Sequence, residues 1–580
     1  MAKNLDRLRR CPACYADLGV PPALDEEGYP RPPSLWLQVH GSQPGDMQWR
    51  VGLFGVDRSW ASAEFQERRI RWTYRICGDG HVFLDHIRTT GARYDHEWTV
   101  NRFDVAAAIG GTAAGKSYLV LRTLSQQLTP TGLDAVDWTA GATQIHPQTS
   151  DVLEEHPLNV LVGHYARTEE EGRPMNATQL GEMMPVTFLN DTVSADLVDK
   201  IDEIQEAHAA GNEWGKRIRQ PIVRRYQIGD ERVLTAVADL PGELFDQRTM
   251  LADDRQRLLR NYGTLMWVVD PVVTNEFAGL LPGDEARRVM LGSMRPATDV
   301  HTDHDRVRRK RNTVQDRLAR QLAELSGTLA VDLGGTQQVL VCVTKADLVR
   351  LALDNGASLL DLGRDPDADE YSGDGPGEVV KGVARYLIEV ARRSSAARLV
   401  VDAGAQAVVD RVVQNRYDHT VRTQAALQLA ESLVKHYDNP RALWNLVHLG
   451  HRDTVKIEAG QPSAMFPPGQ IPVPSLDRHL TESLVVGQAR VLRTRDLVMS
   501  ALTCGIAYGL GFGEQIQQML DQEWRELRFF LCSPLGAVPV APTEDAVLFQ
   551  PLGKGHFTDL TARSAALSQL LLCVLGRLRP

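Results

Sequence analysis

The stretch DVAAAIGGTAAGKSYLV, residues 104–120, decides the fold. An apolar run breaks into glycines, a Gly-Lys-Ser triplet follows, and the chain then becomes apolar again. From Gly110 to Ser117 the spacing fits G-x-x-x-x-G-K-[ST], the Walker A pattern of a phosphate-binding loop between a strand and a helix. The run before the loop is typical of a buried strand, and KSYLVLRTLSQQL after it is typical of an amphipathic helix. The sequence therefore predicts an α/β fold that binds phosphate groups.

Each residue type in this loop has a chemical role. Glycines let the backbone curl, so that successive N–H groups and the positive end of the following helix surround phosphate oxygens. We expect Lys116 to reach the terminal phosphates as a point charge and the Ser117 hydroxyl to ligate Mg²⁺. The other predicted nucleotide contacts come from Gly110, Gly111, Thr112, Ala113, Ala114 and Gly115. The expected fold is that of a P-loop NTPase, with a mostly parallel sheet and flanking helices.

The bulk composition limits the class of protein. The 580 residues are enough for two to four domains. Hydrophobic residues make up 43% and charged residues 24%, as in an ordinary soluble globular protein, and the formal net charge of -10 argues against general nucleic-acid binding. The N-terminus lacks the apolar region of a secretory signal, and no uninterrupted apolar stretch is long enough to span a bilayer. We therefore expect a cytoplasmic protein with no transmembrane segment.

A second predicted strand ends in an acid. The segment ERVLTAVADLPGELF, residues 231–245, carries an apolar run into Asp239, with Gly242 three residues on. In this D-x-x-G arrangement the Asp holds magnesium through a water, and the Gly N–H contacts a γ-phosphate. A backbone N–H that bonds only the triphosphate makes a segment sensitive to hydrolysis, so the pattern predicts a nucleotide switch.

A third motif follows the apolar run QQVLVCV, where Thr344, Lys345 and Asp347 form T-K-A-D at a predicted strand end. Doubly wound sheets bind ligands at this edge. With the two motifs before it, the chain resembles the P-loop GTPases of the translation-factor and small-signalling class. The resemblance implies that Asp347 accepts hydrogen bonds from the guanine ring N–H and amino group, while the Lys345 stem packs on the base. Thr344 stands where Asn is commoner, a variant that the family tolerates.

The last motif lies near the C-terminus, in ELRFFLCSPLG. A predicted strand at 527–531 leads into Ser533 and Pro534, which is similar to the loop whose backbone N–H touches the guanine oxygen in these GTPases. More narrowly, the N-terminal cysteine pair, D-x-x-G-E, V-D-P, T-K-x-D and F-F-x-x-S-x-L-G resemble bacterial TRAFAC-class GTPases of the double-GTPase type. That resemblance implies a signalling or conflict operon and a partner protein, such as another GTPase of the same operon.

The predicted catalytic residues are Lys116, Asp239, Gly242 and Glu243. Glu243 stands where signalling GTPases often have Gln. A glutamate accepts a hydrogen bond from the attacking water, but its charge repels a γ-phosphate close by. We therefore expect a GTP hydrolase that binds GTP, GDP and Mg²⁺ and turns over slowly or with a partner's help. An ATPase or kinase on the same loop, and a scaffold that holds nucleotide without hydrolysis, are the alternatives.

The motifs divide the chain into four predicted segments. Residues 1–100 form an N-terminal module, 101–350 the first part of the GTPase core, 351–525 a mainly helical insertion, and 526–580 the last core strand and a C-terminal helix. In the N-terminal module, Cys11 and Cys14 have the C-x-x-C spacing of half a zinc site, and Cys77 and His81 are the candidates for its other half. Free thiols are the equally weighted alternative.

Overall fold

A computed structural model describes the parts of the chain that carry most of these motifs. The described residues are 34–41, 48–54, 59–65, 70–76, 82–89, 102–111, 114–124, 133–136, 222–228, 231–240, 263–280, 312–313, 315–320, 322–323, 338–364, 376–396, 399–413, 419–449, 453–457, 469–475, 491–521, 526–534, 537–540, 548–551 and 564–575. For the strands within 34–105, 133–136, 222–236 and 537–551, the description is of the backbone. All statements below concern these residues.

The chain forms two compact units. Unit 1 comprises residues 1–109, 132–165 and 177–263, and unit 2 comprises residues 110–131, 166–176 and 264–580. The four predicted segments stay a prediction.

Unit 1 begins with a five-stranded sheet within the predicted N-terminal module. Its strands are β1 (Ser34–Gly41), β2 (Gln48–Phe54), β3 (Ser59–Phe65), β4 (Ile70–Ile76) and β5 (Val82–Thr89), in the order β2-β1-β3-β4-β5. Strands β1 and β3 pair in parallel, and the other neighbours are antiparallel. The candidate zinc ligands Cys11, Cys14, Cys77 and His81 lie outside the described residues, so zinc binding stays a prediction.

The second part of unit 1 contains the strand that leads into the phosphate loop. Its strands are β6 (Arg102–Gly110, whose last residue begins unit 2), β7 (Leu133–Val136), β8 (Ile222–Ile228) and β9 (Glu231–Asp239). Strands β6 and β9 pair in parallel, with Ala108 opposite Asp239. Strand β8 is antiparallel to both β9 and β7. The strand predicted to carry Asp239 is therefore the parallel neighbour of the strand that precedes the loop.

Unit 2 is built on three parallel strands, β10 (Thr264–Val269), β11 (Gln338–Val343) and β16 (Glu526–Leu531), with β11 paired to both others. All six residues of β10 and all six of β11 are buried. Continuous apolar strands of this kind occur where helices cover both faces of a parallel sheet. The mostly parallel sheet with flanking helices confirms the α/β class and is compatible with a P-loop fold.

The helices described in unit 2 are α1 (Lys116–Leu124), α2 (Asn275–Leu280), α3 (Ala346–Asp354), α4 (Glu378–Ser395), α5 (Ala403–Val413), α6 (His419–Tyr437), α7 (Pro440–Trp444), α8 (Thr494–Ala507), α9 (Gly513–Asp521) and α10 (Ala565–Val574). Short strand pairs accompany them: β12 (Val400–Val401) with β15 (Val491–Leu492), β13 (Asp453–Ile457) with β14 (Gly469–Val473), and β17 (Ala537–Val540) with β18 (Leu548–Pro551). The segment predicted to be mainly helical thus also contains short strands.

Helices α4 and α8 pack closely because glycines line their contact. A Cβ on Gly505 would lie 2.5 Å from the Val379 carbonyl oxygen, and one on Gly382 would lie 2.8 Å from the Gly505 Cα. The helical run Thr494–Asp521 is the one described segment long and apolar enough to cross a membrane, yet 83% of its apolar window is buried inside the protein. The run is therefore packed as a core element of unit 2.

Candidate nucleotide-binding site

The three parallel strands of unit 2 end together, and backbone hydrogen bonds continue past their last residues. The N–H of Thr344 donates to the Val269 carbonyl at 2.9 Å, and the N–H of Cys532 donates to the Val343 carbonyl at 2.8 Å. The N–H of Ala346 then donates to the Cys532 carbonyl at 3.0 Å. These bonds bring the T-K-A-D loop and the Ser533 loop into direct contact at the carboxyl ends of the strands, where open α/β sheets bind ligands.

The phosphate-loop segment begins where β6 ends. A Cβ on Gly110 would lie 2.5 Å from the Val268 carbonyl oxygen, so only glycine fits against β10 there. Gly115 has φ of +86°, a left-handed conformation that glycine adopts without strain. Helix α1 then begins at Lys116, and the N–H of Leu119 donates to the Gly115 carbonyl at 2.9 Å. Thr112 and Ala113 lie outside the described residues.

The Lys116 side chain folds over this loop. Its ammonium donates to the Gly110 carbonyl at 3.0 Å and to the Gly111 carbonyl at 2.8 Å, and the residue is 7% exposed. A cation held at the curve of the loop fits the role predicted for it, binding the terminal phosphates of a nucleotide. Ser117 follows it at the start of α1 and is half-buried. Its hydroxyl is the predicted magnesium ligand, and that role stays a prediction.

Thr344 joins the T-K-A-D loop, residues 344–347, to the loop that precedes helix α1. Its hydroxyl lies 2.8 Å from the Ala114 carbonyl oxygen and 3.0 Å from the Val269 carbonyl oxygen, so it can donate to either one. The residue is fully buried, and its side chain lies 3.9 Å from the Cβ position of Gly115. A threonine at this position therefore ties the two loops together through its hydroxyl.

Asp347 and Ser533, which come from different motifs, lie side by side. The Ser533 hydroxyl donates to the Asp347 carboxylate at 2.7 Å, and Asp347 is 4% exposed. Burial raises the pKa of Asp347 to about 6, although the Ser533 hydrogen bond and the nearby charge of Lys345 act to lower it. Pro534 is buried beside Ser533. The structure thus brings together the two residues to which the resemblance to P-loop GTPases gives a role in guanine recognition.

Lys345 has two unusual features. It is the one non-glycine residue with positive φ among the described residues, with φ of 57° and ψ of 38°. Its ammonium forms an ion pair of 2.6 Å with the Asp270 carboxylate, which is 2% exposed. Left-handed backbone at a residue other than glycine is strained and persists where the surroundings enforce it. The surrounding loops therefore fix the backbone of Lys345, and the ion pair with Asp270 holds its ammonium.

Asp270 and Gln315 are residues of the site to which sequence reasoning assigned no role. The Asp270 N–H donates to Gln315 Oε1 at 2.8 Å, and Gln315 Nε2 donates to the Asp270 carbonyl at 3.1 Å. The other oxygen of the Asp270 carboxylate accepts the N–H of Val272 at 3.1 Å. Asp270 is the acid of the V-D-P stretch, and its position directly after the buried run TLMWVV is the signal that could have given it a role.

Asp239 is described within unit 1. It is 3% exposed, and the N–H of the next residue, Leu240, donates to the Ala108 carbonyl at 3.1 Å. Asp239 therefore lies beside the strand residue that comes two positions before Gly110. Gly242 and Glu243 lie outside the described residues, so their predicted roles stay predictions.

Two further observations bear on function. The described residues contain no group of three or more His, Cys, Asp and Glu side chains that could hold a metal ion. No protein-family model matches the chain, and no match to it was found among curated proteins.

Proposed function

We propose that this chain is a magnesium-dependent GTP-binding protein that works as a switch. The observation that carries the proposal is the buried Asp347 carboxylate, which Ser533 holds in a loop that Thr344 ties to the phosphate loop. A carboxylate offers only acceptors when ionised, and guanine presents two neighbouring donors, its ring N–H and its amino group. Adenine presents a different pattern, so this site favours GTP over ATP.

The phosphate end of the proposed site uses other residues. Lys116 and the backbone of the Gly110–Gly115 loop are the proposed phosphate contacts, and the sequence motifs assign magnesium roles to Ser117 and Asp239. Magnesium, when bound, neutralises charge on the phosphates. Lys116 meets the loop carbonyls at 2.8 and 3.0 Å, and nucleotide binding would exchange these contacts for phosphate oxygens.

The proposal extends to turnover and partners. Glu243 in place of a neutral water-positioning residue supports slow hydrolysis or hydrolysis that a partner stimulates. The partner in this proposal is a protein of a bacterial signalling or conflict system, such as a second GTPase, and the location is the cytoplasm. The resemblance of the motifs to double-GTPase proteins supports this part.

Equilibrium binding of fluorescent GTP, GDP and ATP with Mg²⁺ to the full chain tests the proposal. We expect GTP and GDP to bind and ATP to bind at least about tenfold more weakly. In an Asp347→Asn variant, the amide replaces one acceptor by a donor, so guanine nucleotides should lose this advantage. Xanthine nucleotides, which carry a carbonyl where guanine has its amino group, should bind this variant better than the wild type.

Asp354→Asn is the matched control, because it makes the same substitution on helix α3 at an exposed ion pair with Arg350. It should bind like the wild type. Equal binding of ATP and GTP to the wild type would instead favour an ATPase or kinase. Retention of GTP without turnover, even with a partner present, would favour a scaffold with structural nucleotide.

A further inference from the structure

The T-K-A-D loop places the Lys345 ammonium near two buried carboxylates. The Lys345 ammonium pairs with Asp270 at 2.6 Å, and its charge also acts on the carboxylate of Asp347. Asp270 and Asp347 are both almost fully buried, at 1% and 4% exposure. A buried carboxylate attracts any cation in reach, because unpaired charge in the interior is costly. The carboxylate with which the Lys345 ammonium does not pair is therefore the one that can accept hydrogen bonds from a ligand.

The contacts of Asp270 favour its pairing with the Lys345 ammonium. One carboxylate oxygen accepts the Val272 N–H at 3.1 Å, and the other meets the Lys345 ammonium. Its backbone is held from both sides by Gln315, which accepts from the Asp270 N–H and donates to the Asp270 carbonyl. With the main chain and one oxygen both held, the second oxygen has a defined position for the ammonium.

Lys345 is held at its other end as well. Its backbone is left-handed, and the next residue, Ala346, donates its N–H to the Cys532 carbonyl at 3.0 Å. A strained backbone conformation of this kind persists only where the surrounding structure enforces it. The surrounding loops therefore fix the main chain at Lys345, and the ammonium is held by Asp270.

We propose that Asp270 is a positioning residue that holds the Lys345 ammonium away from Asp347, so that the Asp347 carboxylate stays open to the donor groups of a guanine base. The inference rests on the proposed function, because it assigns Asp347 to guanine. It adds that base recognition depends on a third residue, which does not itself contact the base. In this proposal Gln315 supports Asp270 through its two hydrogen bonds to the Asp270 backbone.

A suppressor experiment tests this role with GDP as the probe. In Asp270→Asn, the asparagine carbonyl can still accept the Val272 N–H, but the ion pair is lost. The released ammonium should pair with Asp347 and weaken GDP binding about tenfold. In the double variant Asp270→Asn with Lys345→Met, that ammonium is gone while most of the aliphatic stem remains. The double variant should regain most of the lost GDP affinity and match Lys345→Met alone.

The recovery of GDP affinity in the double variant is the decisive result. If the role of Asp270 were purely structural, changing Lys345 as well would lower the GDP affinity further. If the double variant binds GDP no better than Asp270→Asn, the role of Asp270 is wrong. GDP binding by the wild type would still support the proposed function in that case. A wild type that binds no guanine nucleotide would overturn both. Asp354→Asn serves again as the neutral control on helix α3.

A second variant covers the case in which Asp270→Asn fails to fold. Gln315→Met removes both hydrogen bonds to the Asp270 backbone and leaves all charges in place. It should weaken GDP binding by a smaller factor, about threefold, and Lys345→Met should again suppress the loss. If Gln315→Met weakens GDP binding and adding Lys345→Met does not restore it, the role assigned to Asp270 is also wrong.

Discussion

Thr344 and Ala114 are 230 positions apart in the chain, and a hydrogen bond of 2.8 Å joins the hydroxyl of one to the carbonyl of the other. This bond connects the loop assigned to the base with the loop assigned to the phosphates. The bond restrains the distance between the two loops. A rigid spacing of this kind suits a ligand that has a base at one end and a phosphate chain at the other.

The Thr344 hydroxyl provides the first prediction. Thr344→Val keeps the shape of the side chain but removes the donor that faces two buried carbonyl groups. We expect a loss of about 1–2 kcal/mol in the free energy of unfolding, since the Ala114 carbonyl loses the hydroxyl donor while the Val269 carbonyl still accepts the Thr344 N–H. Chemical denaturation of the wild type and the variant measures the change. Thr344→Ser retains the hydroxyl and should lose less than Thr344→Val; an equal loss in both would show that the methyl group matters more.

Asp347 gives a prediction on stability. Its pKa in the folded chain is about 6, above the ordinary value of 3.8, so between these values the folded state binds more protons than the unfolded state. Stability contributed by this group therefore falls as pH rises from about 4 to 6 and stays low above 6. Asp347→Asn removes the buried charge and keeps an acceptor for Ser533.

We therefore expect Asp347→Asn to be more stable than the wild type at pH 7 to 8, by on the order of 1–3 kcal/mol, and to lose that advantage near pH 4. The measurement is the difference between the two denaturation midpoints across this pH range. A variant that is less stable than the wild type at pH 8 would contradict the prediction.

Ligand binding should show the opposite dependence on pH. The ionised Asp347 carboxylate is the form that accepts the guanine donors, so protonation below its pKa of about 6 removes binding. The ratio of GDP affinities of the wild type and Asp347→Asn should fall by up to about tenfold per pH unit below 6. Taking the ratio cancels the titration of the GDP phosphates. A ratio that is constant from pH 5 to 8 would show that Asp347 does not contact the base.

The close packing of helices α4 and α8 gives the fourth prediction. In Gly505→Ala the new methyl group would lie 2.5 Å from the Val379 carbonyl oxygen and 2.6 Å from a Val383 methyl carbon. Backbone atoms cannot move aside alone, so we expect a loss of about 1–3 kcal/mol in the free energy of unfolding. Gly279→Ala is the control: it lies in helix α2 with nothing within 4 Å of its Cβ position, and it should be neutral or slightly stabilising.

The sequence allowed the strands and loops of the candidate site to be predicted, because apolar runs and loop residues alternate clearly. The run before Thr344 and the run before Ser533 both indicate buried strands, and they are neighbours in the sheet. The contact between Asp347 and Ser533 then follows from two adjacent parallel strands that end at the same edge. Local pattern was sufficient for these residues.

Other parts of the site depend on contacts that no local pattern encodes. Gln315 reaches Asp270 from a segment 45 positions away, and nothing in its surroundings distinguishes it from a solvated residue. The left-handed backbone of Lys345 could not be predicted either, since lysine has no preference for that conformation and the surrounding loops enforce it. Tertiary packing alone determines both features.

The place of β16 at the edge of the unit 2 sheet has a consequence for synthesis in the cell. Ser533 follows Asp347 by 186 positions, so a ribosome needs about 10 to 40 s to make the second residue after the first, at about 5–20 residues per second. During that time β11 has an open edge, and the Asp347 carboxylate has not yet met its hydroxyl donor. A nascent chain can therefore form the Asp347–Ser533 contact only after β16 and Ser533 have been made, long after β11 and Asp347.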